Sequence, residues 1–202
     1  LNPRRKSYII PQGVDTDFFT PAHIHPEPNT ILFSGSMDYP PNTTAMQYFF
    51  ENIYDLIKVE IPDLRVFIVG RNPTKEILQY QSENVVVTGF VKDNRDYFIN
   101  SAVVFVPIVV DDGGYKVKVL EAMAMGKPCV STSLGIKGLY VNDGKNVLIA
   151  DTPADFANNI ILLLRNTDLR NTIGINARRH VEEHYSLENM CGQVNNAFLD
   201  IL

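Results

Sequence analysis

The sequence predicts a doubly wound α/β fold on a mainly parallel sheet. Three observations carry this. Short apolar, β-branched runs alternate with helix-patterned segments along the whole chain. A parallel sheet needs such crossovers, and strands buried on both faces read as continuous apolar runs. Glycines follow four of the runs, at Gly35, Gly70, Gly89 and the pair Gly113-Gly114. They therefore share the carboxyl edge of the sheet, where folds of this class bind ligands. Finally, 45% hydrophobic and 20% charged residues over 202 positions is globular composition, ample for a core without disulfide staples.

Residues 1–29 hold Pro3, Pro11, Pro21, Pro26 and Pro28 and few periodic apolar positions. Proline restricts its own φ and the residue before it, so this reads as a linker or edge segment with a short strand at 8–10. Residues 29–35 (NTILFSG) form a buried strand, and the loop SMDYPPN follows. Across 43–59, Ala45, Tyr48, Phe49, Ile53, Leu56 and Ile57 recur at helical spacing, and Asn42 suits the N-cap. Residues 63–70 (DLRVFIVG) give a second strand, 71–81 a loop and short helix, and 84–88 (NVVVT) a third strand running into Gly89-Phe90-Val91. A short helix at 93–100 carries Tyr97 and Phe98; strands follow at 102–107, 128–131 and 147–150, with a helix at 116–125 between the first two. Thr152, Pro153 and Asp155 supply a cap, a first-turn proline and a first-turn acid, a strong helix start. That helix presents Phe156, Ile160, Leu163 and Leu164, and the next, at 169–184, turns Ile173, Ala177 and Val181 inward. The last begins near Ser186 with the stripe Leu187, Met190, Cys191, Val194, Ala197, Phe198 and Ile201.

The net charge of −5 argues against a nucleic-acid binder, whose footprint is basic. Cys129 and Cys191 lie in apolar patterns and read as buried structural thiols of a reducing compartment. No run of 18 apolar residues is present. The start has no apolar core after its basic residues and no Met, so it reads as a cut from a longer chain rather than a signal peptide. His180 and His184 are four apart on a helix but lack a carboxylate partner at metal-ligand spacing. His23 and His25 lack one too, so no metal is expected.

Chemistry gathers in 103–132 (VVFVPIVVDDGGYKVKVLEAMAMGKPCVST). The glycine pair lets backbone approach a ligand, and a helix starting there aims unpaired N–H groups at it, an arrangement that suits phosphate. Lys116 and Lys118 are cations in an unfavourable place, the first turn of a helix, which an anionic ligand would justify. A solvated loop lysine is the other account of Lys116. Glu121 sits among apolar neighbours and needs hydrogen-bond donors or a cation; ribose hydroxyls or a local lysine would serve. Arg71 follows Gly70 and reads as a phosphate or base contact, or as an exposed loop arginine.

GGYKVKVLEAMAMGKPCVST resembles the signature of the group 1 retaining glycosyltransferases, enzymes of two Rossmann-like domains facing across a cleft (the GT-B architecture). IIPQGVDTDFFTP is similar to that family's interdomain segment, RVFIVG and VVVTGFV to its following strands, and ARRHVEEHYSLENM to its C-terminal helices. The resemblance covers nearly the whole chain but only the C-terminal, donor-binding half. It implies a linker at 1–29, a donor-binding domain at 30–185 and, at 186–202, a helix packing on that domain or toward an N-terminal domain carrying the acceptor site. It implies a nucleotide-diphosphate sugar as substrate, no cofactor, retention of configuration, a cytoplasmic enzyme of hexosyltransferase type, and an acceptor such as a cell-surface polysaccharide or glycolipid precursor. It also allows peripheral membrane association of the full-length protein.

Carried over residue by residue, the resemblance gives a catalytic pair, Lys118 and Glu121. It gives donor contacts at Gly35, Ser36, Arg71, Gly89, Phe90, Val91, Gly113, Gly114, Tyr115, Lys116 and Val119. The family's two glutamates stand seven residues apart; Glu121 matches the second, and the first falls at Gly113, with Asp111 or Asp112 as stand-ins under a shifted loop. Its two phosphate-binding cations fall at Ser36 and Asn42, both neutral here, so Lys118 and the Gly35-Ser36 backbone are expected to replace them. The loop 135–138 (GIKG) reads as closing over the donor, with Lys137 near the sugar. The alternatives are a catalytically inactive nucleotide-binding or scaffold module and a nucleotide-sugar epimerase fragment. A receiver domain lacks its paired acids in FSGSMDY.

Overall fold

The computed structural model describes residues 7–22, 24–110, 113–114 and 116–200. Six parallel strands are joined in the order β3-β2-β1-β4-β5-β6: β1 (Thr30–Ser34), β2 (Arg65–Val69), β3 (Val85–Val87), β4 (Val103–Val106), β5 (Cys129–Ser131) and β6 (Leu148–Ile149). Every residue of β1, β4 and β5 is buried, on both alternating faces. Such strands must be covered by helices from both sides, which is why they read as unbroken apolar runs. The strand order reverses between β1 and β4, the point at which folds of this class leave a crevice at the carboxyl edge.

The helices are α1 (Pro40–Asn52), α2 (Tyr54–Glu60), α3 (Lys75–Leu78), α4 (Arg95–Asn100), α5 (Val117–Ala124), α6 (Pro153–Arg165), α7 (Thr167–His184) and α8 (Leu187–Leu199). α6 covers β4 and β5 and lies against α2, while α5 packs on β5 and α7. Thr152 caps α6 through its side chain, as its pattern predicts. Arg178 of α7 donates to the carbonyls of Thr16 (3.0 Å), Phe19 (2.6 Å) and Ala124 (2.7 Å), tying the proline-rich N-terminal segment to the end of α5.

Five expectations are corrected. Residues 8–10 form no strand, because two nearby prolines and solvent exposure leave no sheet edge for them to join. The helix expected at 43–59 starts earlier, at Pro40 with Tyr39 as N-cap, and breaks at Ile53, whose φ of −119° separates α1 from α2. Asn42 is therefore not the cap. Among the described residues of the expected α8 stripe only Ala197 is buried; Met190 and Val194 are half-covered, and Leu187, Cys191 and Phe198 are exposed. Cys191 is thus an exposed thiol, whereas Cys129 is fully buried in β5, its thiol pushed up to about 12 by burial.

Candidate functional site

A cavity of about 550 Å³ opens at the carboxyl edge, where β1, β2, the loop ahead of α4 and α5 converge. Two glycines make the convergence possible. A Cβ on Gly70 would stand 1.7 Å from the Gly35 carbonyl oxygen, so the ends of β1 and β2 approach only without one. A Cβ on Gly35 would meet Asn42 Nδ2 at 2.7 Å and Lys118 Nζ at 3.0 Å.

The α5 face explains which residues reach the cavity. Side chains three and four apart share a helix face. Val117, Lys118 and Glu121 line the cavity, and Lys116, the N-cap position, joins them although only 6% exposed. Lys116 is therefore not a solvated loop lysine. Val119, Leu120, Ala122 and Met123 turn the other way, into the core. Val119, expected as a donor contact, is fully buried and does not line the cavity. Lys118 donates to Asn42 Oδ1 and stands over the Phe33 ring, 4.5 Å from its centroid. Burial raises the Glu121 carboxyl to about 7, against a smaller lowering by Lys118. Among the described residues no hydrogen bond and no ion pair reaches the Glu121 side-chain carboxyl. A half-desolvated carboxyl facing a cavity is an acceptor waiting for donors.

The loops after β1 and β2 are clasped together. Arg71 Nε donates to Ser36 Oγ at 3.1 Å, Ser36 Oγ to Asp38 at 2.6 Å, and Asn72 Nδ2 to Asp38 at 2.9 Å. These donors hold the exposed Asp38 carboxyl below its ordinary value. At the far rim Phe90 projects 78% exposed, with Val91, Lys92, Asp93 and Asn94 beside it. Arg95 grips Asp93, pulling its carboxyl down to about 2, and covers the Phe18 ring at 3.9 Å. Phe18 of the N-terminal segment is thereby held on the cavity wall.

Of the expected site residues, Gly35, Ser36, Arg71, Phe90, Val91, Gly114, Lys116, Lys118 and Glu121 come together on this cavity. Gly89 and Gly113 do not line it; both adopt positive φ, 68° and 66°, with open space where a Cβ would be. Tyr115, and Asp111 and Asp112, lie outside the described residues, as do His23 and Ile201. Lys137 and the 135–138 loop do not line the cavity either. A Cβ on Gly135 would stand 2.3 Å from Ser131 Oγ, which shows the loop packed down on the end of β5. Asn42, Ser34, Tyr39, Phe18 and Asn94 were not expected on the wall. For Asn42 a signal existed, since it stands where the resemblance places a cation. Among the described residues no group of three or more His, Cys, Asp or Glu could hold a metal ion, and no helix is long and apolar enough to cross a membrane.

Comparison with known proteins adds the following. A family model described as "Glycosyl transferases group 1" matches residues 28–166. An uncharacterised 44.6 kDa protein in the cps region of Klebsiella pneumoniae is 24% identical over 163 residues, 77% of this chain and 42% of that protein. An uncharacterised glycosyltransferase of Methanocaldococcus jannaschii, MJ1178, is 37% identical over 67 residues, 32% of this chain and 19% of that one. The chain thus spans less than half the length of these relatives. Among solved structures, the C-terminal domain of a glycosyl transferase group 1 family protein (LpcC) from Francisella tularensis superposes with a TM-score of 0.71 at 20% identity, over 87% of this chain and 100% of that one. Anabaena Alr3699/HepE in complex with UDP and glucose gives 0.78 at 18% identity, over 95% of this chain and 56% of that one. At such identities the superpositions show a shared fold.

Proposed function

The chain belongs to the group 1 glycosyltransferases, and on that footing we propose that it is the donor-binding domain of such an enzyme, holding a nucleotide-diphosphate sugar for transfer to an acceptor. One observation carries the reading: α5 places a cation, Lys118, and a raised carboxyl, Glu121, side by side on a cavity at the strand-order reversal. Glu121 accepts the ribose hydroxyls. Lys118, Lys116 and the Gly35-Ser36 backbone take the diphosphate. Phe90, exposed at the rim, offers a flat face on which the base stacks. Arg71, held toward Ser36, adds charge at the mouth.

Catalysis in this half is leaving-group stabilisation. Negative charge grows on the departing diphosphate as the glycosidic bond breaks, and fixed donors and cations in a partly water-excluded cavity stabilise it. No step of this reading uses a metal. The acceptor site, and groups on the other side of the sugar, belong to a further domain. A cell-surface polysaccharide or glycolipid precursor as acceptor is supported by the Klebsiella relative's place in a cps region. The reading places the enzyme in the cytoplasm.

The test is calorimetric titration of UDP, as probe, into this chain and into its Lys118→Ala variant. A loss of about tenfold or more in affinity is expected, since a charge-assisted contact to phosphate is removed. Unchanged affinity would take Lys118 out of the site. The scaffold reading has its own observation, the glycine at position 113 and the neutral Ser36 and Asn42. Sugar transfer by the full-length protein excludes it.

A further inference from the structure

We propose that Asn42 is a positioning residue for the phosphate-binding cation: it holds the Lys118 ammonium against the Gly35-Ser36 turn, so that one cation and one backbone turn meet the same phosphate. The inference rests on the donor-site reading above. Asn42 is only 4% exposed, and both ends of its amide are used. Nδ2 donates to the Ser36 carbonyl at 2.8 Å, and Oδ1 accepts from Lys118 Nζ. A buried amide satisfied at both ends fixes the distance between the two groups it joins. Phe33 supports the ammonium from beneath at 4.5 Å. The missing Cβ of Gly35 leaves the room in which these two polar heads sit.

Helical spacing makes the arrangement informative. Lys118 and Glu121 are three apart on α5, the separation at which a lysine and a glutamate ordinarily pair. They form no ion pair here. Asn42 draws the ammonium the other way, toward the β1 turn. The consequence is a division of labour: Lys118 stays with phosphate, and Glu121 stays open to hydroxyl donors. A flexible four-carbon stem is thereby held in one arrangement before the ligand arrives.

The experiment compares UDP with UMP by calorimetry in wild type, Asn42→Ala, Lys118→Ala and the double variant. Wild type is expected to prefer the diphosphate. Asn42→Ala is expected to lose about tenfold of that preference with little change for UMP, because the inference assigns the positioned cation to the phosphate that UMP lacks. A merely structural asparagine would weaken both ligands alike. The double variant should match Lys118→Ala, since Asn42 acts through Lys118. A full diphosphate preference in Asn42→Ala, or an additive further loss in the double variant, overturns the inference and leaves the donor reading standing. No preference in wild type overturns both. If circular dichroism shows that Asn42→Ala does not fold, Asn42→Asp asks the same question, since a carboxylate there neutralises the cation in place. Its preference should vanish, and a retained one overturns the inference.

Discussion

Glu121 puts binding and stability in opposition. Its carboxyl is raised from 4.5 to about 7 by burial, so the folded state holds its proton where the unfolded chain has released it. The sign follows from proton linkage. Below about pH 4.5 both states are protonated and there is no cost. Between 4.5 and 7 the folded state binds more protons, so stability falls as pH rises; above 7 the full cost remains, about 3 kcal/mol for this shift. Glu121→Gln is therefore expected to stabilise the unliganded protein at pH 8 by up to about 3 kcal/mol and to do little at pH 4.5. Urea unfolding at the two pH values measures this, and equal effects at both would refute it. The same variant should bind nucleotide more weakly, since an amide is a poorer acceptor than a carboxylate for two hydroxyls. Lys118, Glu121 and Gly35 were legible because their types are costly where the local pattern puts them: cations in a first helical turn, an acid among apolar neighbours, a glycine closing a strand. Asn42 was legible only as a place where the resemblance expects a cation. An asparagine ahead of a helical pattern otherwise signals a cap, and only the adjacency of α1 and α5 reveals its partner Lys118. Phe18, Ser34 and Asn94 likewise reach the wall through tertiary contacts that no local period encodes.

At the scale of elements, the site depends on how α5 is seated, and α7 seats it. A Cβ on Gly174 of α7 would stand 2.2 Å from the Gly126 carbonyl oxygen just beyond α5. Gly126 itself takes φ 64° to end that helix. Two effects compete in Gly174→Ala. Helix propensity gains about 1 kcal/mol. Forcing a methyl into backbone costs about 1–3 kcal/mol or more. The contact is with a carbonyl rather than a flexible side-chain end, so the cost wins and a net loss of about 2 kcal/mol is expected, read as a lower urea midpoint. A neutral or stabilising outcome would mean that α7 shifts freely on α5. Elements buried on both faces were legible for the same reason that they are stable: β4 has no polar residue, and in β1, β2 and β5 the polar ones (Thr30, Ser34, Arg65, Ser131) stand only at the strand ends. The misreadings lie where burial is partial. The break at Ile53 keeps the helical period on either side, so the sequence shows one helix where there are two. The α8 stripe has a clean period, yet among its described residues only Ala197 is buried and Met190 and Val194 are half-covered, because periodicity tells which residues share a face and not how much lies against it. Residues 8–10 are apolar without a strand neighbour, and a sheet edge is a property of the assembled fold.

For the whole molecule, the cavity draws its walls from the N-terminal segment, β1, β2, α1, the loop ahead of α4 and α5, so a ligand there ties together parts that are distant in sequence. A ligand that binds only the folded state stabilises it by RT ln(1 + [L]/Kd), about 2.7 kcal/mol at a hundredfold excess over Kd. For a domain of this size that is a rise in Tm of about 5–10 °C. The rise should itself depend on pH, with a sign opposite to that of the unliganded protein. Ribose hydroxyls donate to the ionised carboxylate, so binding selects the deprotonated form of Glu121. At pH 6, one unit below its raised value, about a tenth of the molecules hold it ionised, and apparent affinity falls by about tenfold. At the same UDP concentration the stabilisation then drops to about 1.4 kcal/mol, and the Tm rise is about half that at pH 8. UDP titrates in this range as well, so the comparison that isolates the protein is Glu121→Gln. It keeps the ligand's own pH dependence and should lose the remainder. Thermal melts of both proteins at pH 6 and 8, with and without UDP, decide the matter: identical pH dependence in the two would remove Glu121 from the ribose and leave its burial without a function.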